Sequence, residues 1–417
     1  MINSTNNTTI YWSFGKKIGF RFSFVFILLF IVICNNGSFP LFSFINRPLI
    51  MLMHICTPWF SKNILKYQYD YSIFSNGSGD TSYDWVTLLI LVIIGVLGTI
   101  IWTLIDTKRN NYNKCYYWLT VFIRYYIAFM LINYGVSKLM HAQMPPPGLT
   151  KLMQPLGEFS PMGLAWNFFG FSKGYNIFIG IVEVMAGLLL FRKTMVLGAL
   201  ITVATSLNIM AINYFYDVPV KLMSTALALL SVFLLLPYLK SLTDLFFKGE
   251  SSQLKQINRP VFNRAWKKWV ASICKVLVIM LFISTQLFGV FNQKKIIAQY
   301  FKKSPLYGIY QIDTTSEKRV SIPNDWSFLI FEYEGNARAR DNFYNVQRIG
   351  VGFNTSENKM TLNNYTFDYK LEENGDVLLK VKIKERLEEI RLKKRDPKTF
   401  ELMNRGFNWI QEYPHNK

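Results

Sequence analysis

Two opposite charges inside apolar stretches are the residues of this chain best placed to do chemistry. Arg124 lies in FIRYYIAFMLINYGVSKL and Glu183 lies in YNIFIGIVEVMAGLLLF. A charged side chain at bilayer depth costs about 2.5 kcal/mol or more, so it faces the protein interior and indicates a functional site. At ~1.5 Å per residue, the two side chains differ in height by about 6 Å across a ~30 Å apolar core. The sequence therefore predicts a direct or water-bridged ion pair between neighbouring helices.

Further polar residues could extend this site toward the outer surface. Lys138 follows Arg124 by fourteen residues, close to four helical turns, so the two share a helix face with Tyr134. The next apolar stretches add Asn208, Asn213, Asp217 and Lys221. Such groups in an apolar bundle predict a pocket for the polar head of a small molecule with an apolar tail. The alternative is structural, with an ion pair that fixes helix register and Asn side chains that hold helices together.

Three further candidates are assigned to the outer mouth of this bundle. His141 follows Lys138 and could relay protons, although a solvated surface His is the alternative. Trp166 could belong to a lid over the mouth or to a loop that anchors at the membrane interface. Asp80 ends the Gly-rich turn NGSGD at 76–80, which could bind an anion or be an ordinary turn.

Seven apolar stretches approach the ~20 residues that a membrane helix needs. The predicted spans are 16–35, 85–105, 116–138, 175–191, 194–215, 218–238 and 269–289. Lys16 and Lys17 lie at the start of the first span, which is predicted to be a retained signal anchor with its N-terminus inside. The loops then assigned to the inside are rich in Lys and Arg, which supports this topology. The apolar segment 40–60 is predicted to be an outer-surface amphipathic helix; if it spans, every later element inverts.

The character of the chain changes after residue 289. The strand patterns are WSFLIFEYE, VQRIGVGF and KMTL, followed by YTFDYKL and DVLLKVKIK on either side of a tight turn at Asn374-Gly375. These patterns predict a small all-β domain, built as a meander, sandwich or barrel. The segment KIKERLEEIRLKKR is predicted to be a strand hairpin or a short helix. The aromatic run GFNWIQEYP is predicted to close the sheet or to dock on the bundle mouth.

Composition limits the classes of function. The formal charge is +20, with 46 Lys and Arg against 26 Asp and Glu. We attribute this excess to membrane loops and a basic soluble domain and expect no nucleic-acid partner. The four cysteines form no CxxC motif, although Cys34 and Cys56 could pair on the outer side. No predicted span contains a His, and there is no Rossmann or Walker A motif, so any electron carrier would be a bound quinone or a partner's cofactor.

At these residues the chain resembles the DoxX-like membrane protein family. The similar segments are RYYIAFMLINYGVSKL, EVMAGLLLFRKT and LGAL, with Arg124, Gly135, Lys138 and Glu183 at the family's motif positions. SPMGLAWNFFGFS and NYFYDVPVK are similar to a larger bacterial subgroup with extra N-terminal spans and a C-terminal soluble domain. The resemblance covers about 116–245 and implies a membrane four-helix bundle, in some relatives associated with quinone-linked sulfur or thiol oxidation. One such relative is a small subunit of a thiosulfate–quinone oxidoreductase, and many members have no assigned activity.

The sequence as a whole predicts an α-helical polytopic membrane protein with a C-terminal all-β domain. Its predicted parts are a two-span region (1–115), a DoxX-like core (116–245), a cytoplasmic linker with the seventh span (246–289) and a periplasmic β domain (290–417). The predicted function is to bind a quinone-like or lipid-like molecule in the bacterial inner membrane, as an accessory subunit of a redox process. The alternatives are a non-enzymatic scaffold that presents 290–417 to a protein partner and a proton-coupled carrier that uses Glu183. Whether the chain is itself an enzyme stays open.

Overall fold

The computed structural model describes residues 11–69, 77–251, 253, 254, 257, 260, 264–313 and 319–416. The chain forms two compact units. The helical unit comprises Met1–Met144 and Ser172–Leu287, and the barrel unit comprises Pro145–Phe171 and Phe288–Lys417. Residues 252, 255, 256, 258, 259 and 261–263 of the predicted linker, and the first residue of the predicted turn at 76–80, lie outside the described residues.

The helices follow the apolar stretches of the sequence. Their bounds are α1 Phe14–Ile33, α2 Ser43–Asn63, α3 Ser82–Ile105, α4 Asn113–Leu139, α5 Leu149–Leu152, α6 Pro161–Phe171, α7 Lys173–Val184, α8 Met195–Phe215, α9 Lys221–Leu235, α10 Leu239–Phe247, α11 Ala265–Tyr300 and α12 Glu401–Asn404. A 3-10 helix, Met185–Leu190, continues α7. A second one, Leu236–Tyr238, joins α9 to α10.

Six of these helical segments are long and apolar enough to cross a membrane, within the described part of the chain. They are Ser82–Ile105, Asn113–Leu139, Lys173–Leu190, Met195–Phe215, Lys221–Phe247 and Ala265–Tyr300. They confirm six of the seven predicted spans and the assignment as a multi-pass membrane protein. The first predicted span does form a helix, α1, but it carries Lys16, Lys17 and Arg21 and does not join this set. The segment 40–60 also forms a helix, α2, which contains Pro48 and Pro58.

The charge on α1 is satisfied inside the helical unit. Arg21 is buried, and its Nε and Nη2 donate to the Tyr112 hydroxyl at 2.9 and 2.6 Å. Its Nη1 donates to Thr103 Oγ1 at 2.8 Å, and Nη2 also donates to the Asp106 carbonyl at 2.7 Å. Every guanidinium nitrogen of Arg21 thus has a partner from α3 or the segment after it, which offsets the cost of burying the charge.

The core of the helical unit is built around α4. Its buried residues include Ile123, Tyr126, Ile127 and Phe129, which lie on more than one side of the helix because consecutive residues point about 100° apart. The Phe129 ring stacks on Phe282 of α11, with centroids 4.0 Å apart.

Cys34 and Cys56, which the sequence analysis considered as a possible disulfide, are both free thiols in the structure.

The second unit contains an eight-stranded closed barrel. Its strands are β1 Lys303–Ile312, β2 Trp326–Tyr333, β3 Asn336–Asp341, β4 Val346–Asn354, β5 Lys359–Leu362, β6 Tyr365–Leu371, β7 Val377–Ile383 and β8 Arg386–Arg395. Each strand pairs antiparallel with the next, and β8 pairs with β1 to close the barrel. The interior is filled by apolar side chains such as Met360, Phe367 and Leu392. The predicted all-β domain is therefore confirmed as a barrel.

Local signals placed most of these strands correctly. The turn at Asn374-Gly375 joins β6 to β7, and Gly375 has a φ of +86°, which only glycine adopts without strain. The KIKERLEEIRLKKR segment forms the predicted hairpin, β7–β8, rather than a helix. The aromatic run after it does not close the sheet, because β8 already does so and Trp409 is 90% exposed.

The segment 145–171, which lies between the third and fourth predicted spans, belongs to the barrel unit. Leu149 and Met153 bury their side chains against Ile309 and Ile330 of the barrel. The Glu332 carboxylate accepts hydrogen bonds from the Leu149 backbone N–H at 3.1 Å and the Thr150 hydroxyl at 3.3 Å. Apolar burial and these polar contacts hold the segment to β1 and β2.

Candidate functional site

Two glycines bring α4 and α7 into close contact. A Cβ atom built on Gly135 would lie 2.7 Å from the Gly180 carbonyl oxygen, and one built on Gly180 would lie 2.9 Å from the Gly135 carbonyl oxygen. Small residues at such crossings allow helix backbones to approach closely within a membrane. Lys138 on α4 and Glu183 on α7 each follow their glycine by three residues, about one helical turn.

Lys138 and Glu183 form a buried ion pair. The Lys138 Nζ lies 2.8 and 2.9 Å from the two Glu183 carboxylate oxygens, and Glu183 is fully buried. The same ammonium donates to Gln143 Oε1 at 2.9 Å and lies 5.9 Å from the Tyr134 ring centroid. An ammonium has three N–H donors, and these three oxygens account for all of them. The pair is therefore satisfied within the protein.

The loop after α4 folds over this ion pair. His141 has a φ of +55°, and its backbone N–H donates to the Lys138 carbonyl at 2.8 Å. This left-handed turn carries Gln143 to the Lys138 ammonium. The Met144 carbonyl then accepts a hydrogen bond from the Asn176 side chain on α7 at 3.0 Å. Sequence reasoning missed Gln143 and Asn176, which have no charge to mark them.

The predicted ion pair between Arg124 and Glu183 is wrong. Arg124 instead donates from Nε to the Leu189 carbonyl at 2.7 Å. The chain tightens after Val184 into the 3-10 helix Met185–Leu190, and the last carbonyls of a helix have no partner within it. Arg124 satisfies one of these carbonyls, whereas Lys138 is the cation that meets Glu183.

Two more side chains satisfy neighbouring carbonyls at the end of this 3-10 helix. Thr194 Oγ1 donates to the Leu188 carbonyl at 2.7 Å. Lys275 Nζ, from α11, donates to the Leu190 carbonyl at 3.0 Å. The sequence held a signal for Lys275, since a lysine within the apolar run ICKVLVIM indicates an internal contact. Close by, Arg192 Nη2 donates to the Ile257 carbonyl at 2.8 Å.

Arg124, Arg192 and Lys275 form what we call the basic cluster. Arg124 is only 6% exposed. Its Nη1 and Nη2 have no hydrogen-bond partner among the described residues, and no carboxylate of that part of the chain lies within ion-pair distance of Arg124 or Arg192. Arg124 therefore differs from Arg21, a second buried arginine among the described residues of the helical unit, each of whose guanidinium nitrogens has a hydrogen-bond partner.

The other predicted ligand-binding residues do not converge on Lys138 and Glu183. Asn208 is exposed on α8. Asn213 donates from Nδ2 to the Val220 carbonyl at 3.2 Å and so closes the turn between α8 and α9. Asp217 and Lys221 form an ion pair with each other, with Oδ1 and Nζ 2.8 Å apart, and Asp217 is 81% exposed. These polar residues shape the α8–α9 turn.

Asp80 caps a helix rather than belonging to a site for an external anion. Its carboxylate accepts hydrogen bonds from the backbone N–H groups of Lys221 at 2.6 Å and Leu222 at 2.8 Å, the first residues of α9. The Gly79 N–H also donates to the Pro219 carbonyl at 2.8 Å. Because Val220, before α9, provides no side-chain cap, the Gly-rich turn supplies the carboxylate that this helix end needs.

Trp166, predicted as part of a lid over the bundle, lies on α6 in the barrel unit. There it lines an open cavity of about 1190 Å³ together with Tyr344, Arg338 and Arg348. Trp166 therefore belongs to the barrel unit and not to the helical bundle.

Comparisons with known proteins give one informative relative. No family model matches the chain, and no solved structure matches it. The chain is 34% identical to an uncharacterized protein of Bacillus subtilis (strain 168), YwoB, over 122 residues, which are 27% of this chain and 71% of that relative. With this identity over more than two thirds of the relative, the chain belongs to the family of the uncharacterized protein YwoB.

Proposed function

We propose that the helical bundle of this membrane protein binds a lipid-like or quinone-like small molecule whose polar head lies at Arg124. The observation that carries the proposal is that Arg124 is 6% exposed, while its guanidinium is bonded to the described residues only through Nε. Burial of a charge without partners is costly. An acceptor on a bound molecule would supply the missing partners for Nη1 and Nη2.

The Lys138–Glu183 pair has a different role in this proposal. All of its strong donors and acceptors are used within the protein, so a ligand would have to displace Gln143 or Glu183 to reach Lys138. We assign the pair to holding α4 against α7 beside the glycine contact. The proton-coupled carrier and the direct binding of a ligand by Glu183 are accordingly less favoured than binding at Arg124.

The resemblance to DoxX-like proteins supports a role beside a quinone-linked redox process in the bacterial inner membrane. In that setting the protein is an accessory subunit, and the bound molecule is either the quinone or a lipid that stabilises the assembly. The acyl or isoprenoid tail would lie along the apolar faces of the helices. Leu197 and Leu207 of α8, which are more than one-third exposed, belong to such a face.

Native mass spectrometry of the gently purified full-length protein, with extraction of its lipids, tests the proposal. We expect wild type to retain an amphiphile that Arg124→Gln loses. Arg21→Gln is the matched control, because it removes a second buried arginine whose partners are all within the protein, and it should keep the ligand. Retention of no amphiphile by wild type, or equal retention by Arg124→Gln, would contradict binding at Arg124. The double variant Lys138→Met/Glu183→Leu, which removes the pair without leaving a buried charge uncompensated, is expected to retain the ligand. Loss of the ligand from this variant would return the site to Lys138 and Glu183.

A further inference from the structure

We infer that the molecule bound at Arg124 is an anionic lipid whose phosphate is held by the basic cluster. The inference rests on the proposed function, since it names the chemical class of the amphiphile. It concerns the end of the 3-10 helix Met185–Leu190, where Arg124 and Lys275 donate to adjacent carbonyls at 2.7 and 3.0 Å. A phosphate would meet the Nη1 and Nη2 groups of Arg124, which have no hydrogen-bond partner among the described residues and whose guanidinium the Leu189 carbonyl already holds in place.

The charges around Arg124 favour an anion over a neutral ligand. Among the described residues, the titratable groups near Arg124 are the hydroxyls of Tyr117, Tyr125 and Tyr238 and the guanidinium of Arg192, and no carboxylate is one of them. A quinone carbonyl could accept a hydrogen bond, but it would leave the positive charges of Arg124 and Arg192 uncompensated. A phosphate provides negative charge and a pair of oxygens that match the planar fork of a guanidinium.

The depth of the cluster also fits a lipid phosphate. Leu190 is the last residue of the membrane span Lys173–Leu190, so the carbonyls bonded by Arg124 and Lys275 lie where that span ends. Head groups occupy this level, at the edge of the ~30 Å apolar core. Trp266 and Trp269 are exposed near the start of α11, as expected of aromatic residues at a membrane interface.

The three cations of the basic cluster differ in burial, and this difference indicates the side from which a phosphate would enter. Arg124 is buried, Lys275 is half-buried with its Nζ 5.0 Å from the Phe191 ring centroid, and Arg192 is exposed. A phosphate entering from the head-group region would pass Arg192 and reach the unbonded edge of Arg124. Basic pockets of this kind between membrane helices bind anionic head groups. A zwitterionic head group suits the cluster less well, because its ammonium would be repelled.

The test is a binding titration of delipidated full-length protein in neutral detergent, with three amphiphiles and inorganic phosphate. We expect phosphatidylglycerol to bind about 10-fold more tightly than phosphatidylcholine and than a short-chain quinone. Arg124→Gln should bind phosphatidylglycerol about 10- to 100-fold more weakly than wild type, because it loses a hydrogen bond between charged groups. Arg192→Gln, at an exposed position where folding is not at risk, should weaken this binding several-fold. Arg21→Gln, the control, should not change it.

The possible outcomes separate the two proposals. Tighter binding of the quinone than of phosphatidylglycerol, with sensitivity to Arg124→Gln, would overturn the phosphate inference and leave amphiphile binding at Arg124 intact. Inorganic phosphate that binds as tightly as phosphatidylglycerol would overturn the lipid as the source of the phosphate. If neither Arg124→Gln nor Arg192→Gln changes the affinity for phosphatidylglycerol, the basic cluster is not its binding site. No binding of any amphiphile would overturn both proposals.

Discussion

Replacement of Glu183 by Gln should be among the most destabilising conservative changes in the helical unit. The substitution removes the negative charge of a carboxylate whose two oxygens lie 2.8 and 2.9 Å from Lys138 Nζ. The buried ammonium keeps only neutral amide oxygens as partners among the described residues. Loss of one member of a buried ion pair costs about 3–5 kcal/mol because the other charge stays uncompensated. We therefore expect the free energy of unfolding of Glu183→Gln to fall by about that amount.

The double variant Lys138→Met/Glu183→Leu separates the charge from the packing. Apolar replacement of a whole buried pair is often neutral or stabilising, so this variant should be more stable than Glu183→Gln. Asp217→Asn is the matched control, because it breaks an ion pair on the same unit whose carboxylate is 81% exposed. Its cost should be within about 1 kcal/mol.

The measurement is a reversible denaturant titration of the purified full-length protein in mixed micelles, read by the fluorescence of its tryptophans. A loss below ~1 kcal/mol for Glu183→Gln, similar to that of the exposed control, would show that the pair does not hold α4 to α7. A double variant no more stable than the single one would refute the argument that the uncompensated ammonium is the cause.

Three other predictions test a helix cap, the glycine contact beside the ion pair, and a turn of the barrel. Asp80→Ala should lower the free energy of unfolding by about 1–2 kcal/mol through loss of the α9 cap, while Asp80→Asn keeps most of it; equal losses in the same denaturant titration would exclude capping. Gly180→Ala should cost about 1–3 kcal/mol, because its Cβ would lie 2.9 Å from the Gly135 carbonyl oxygen, whereas Gly174→Ala, with open space at its Cβ, should cost less. In the barrel, hydrogen bonds from Asn345 hold the pKa of the Asp341 carboxyl below its usual 3.8. The ionised carboxylate therefore stabilises the β3–β4 turn above pH 3.8. This stabilisation is lost as the pH falls through the lower pKa of the folded state. An NMR titration that gives Asp341 a pKa of 3.8 or higher would contradict this.

The sequence predicted the elements that depend on local pattern. The alternation of apolar and polar residues and the turn at Asn374-Gly375 predicted β6 and β7. The length of the apolar stretches predicted the six membrane helices. Both signals reside in residues that are neighbours in the sequence. The closure of the barrel by β8 could not be read from the strands alone, since meander, sandwich and barrel share the same pattern.

The site depended on features that residue spacing does not fix. Height along the membrane placed Arg124 near Glu183, but it gave neither the rotation of α4 against α7 nor the tightening of the chain after Val184. The glycine contact at Gly135 set that rotation and delivered Lys138 to Glu183 instead. Asp80 was misjudged for a related reason, because its partner is the start of a helix some 140 residues later in the chain.

The closing pair of the barrel has a consequence for how this unit forms during synthesis. Seven of the eight strand pairings join strands adjacent in sequence, and only β1 with β8 joins distant ones, as in the pairing of Tyr310 with Lys394. A nascent chain that ends before Arg386 would expose two unpaired strand edges, on β1 and β7, which are templates for aggregation. The last strand to be synthesised thus converts an open, association-prone sheet into an edgeless one, and truncation within β8 should yield aggregated rather than partly folded protein.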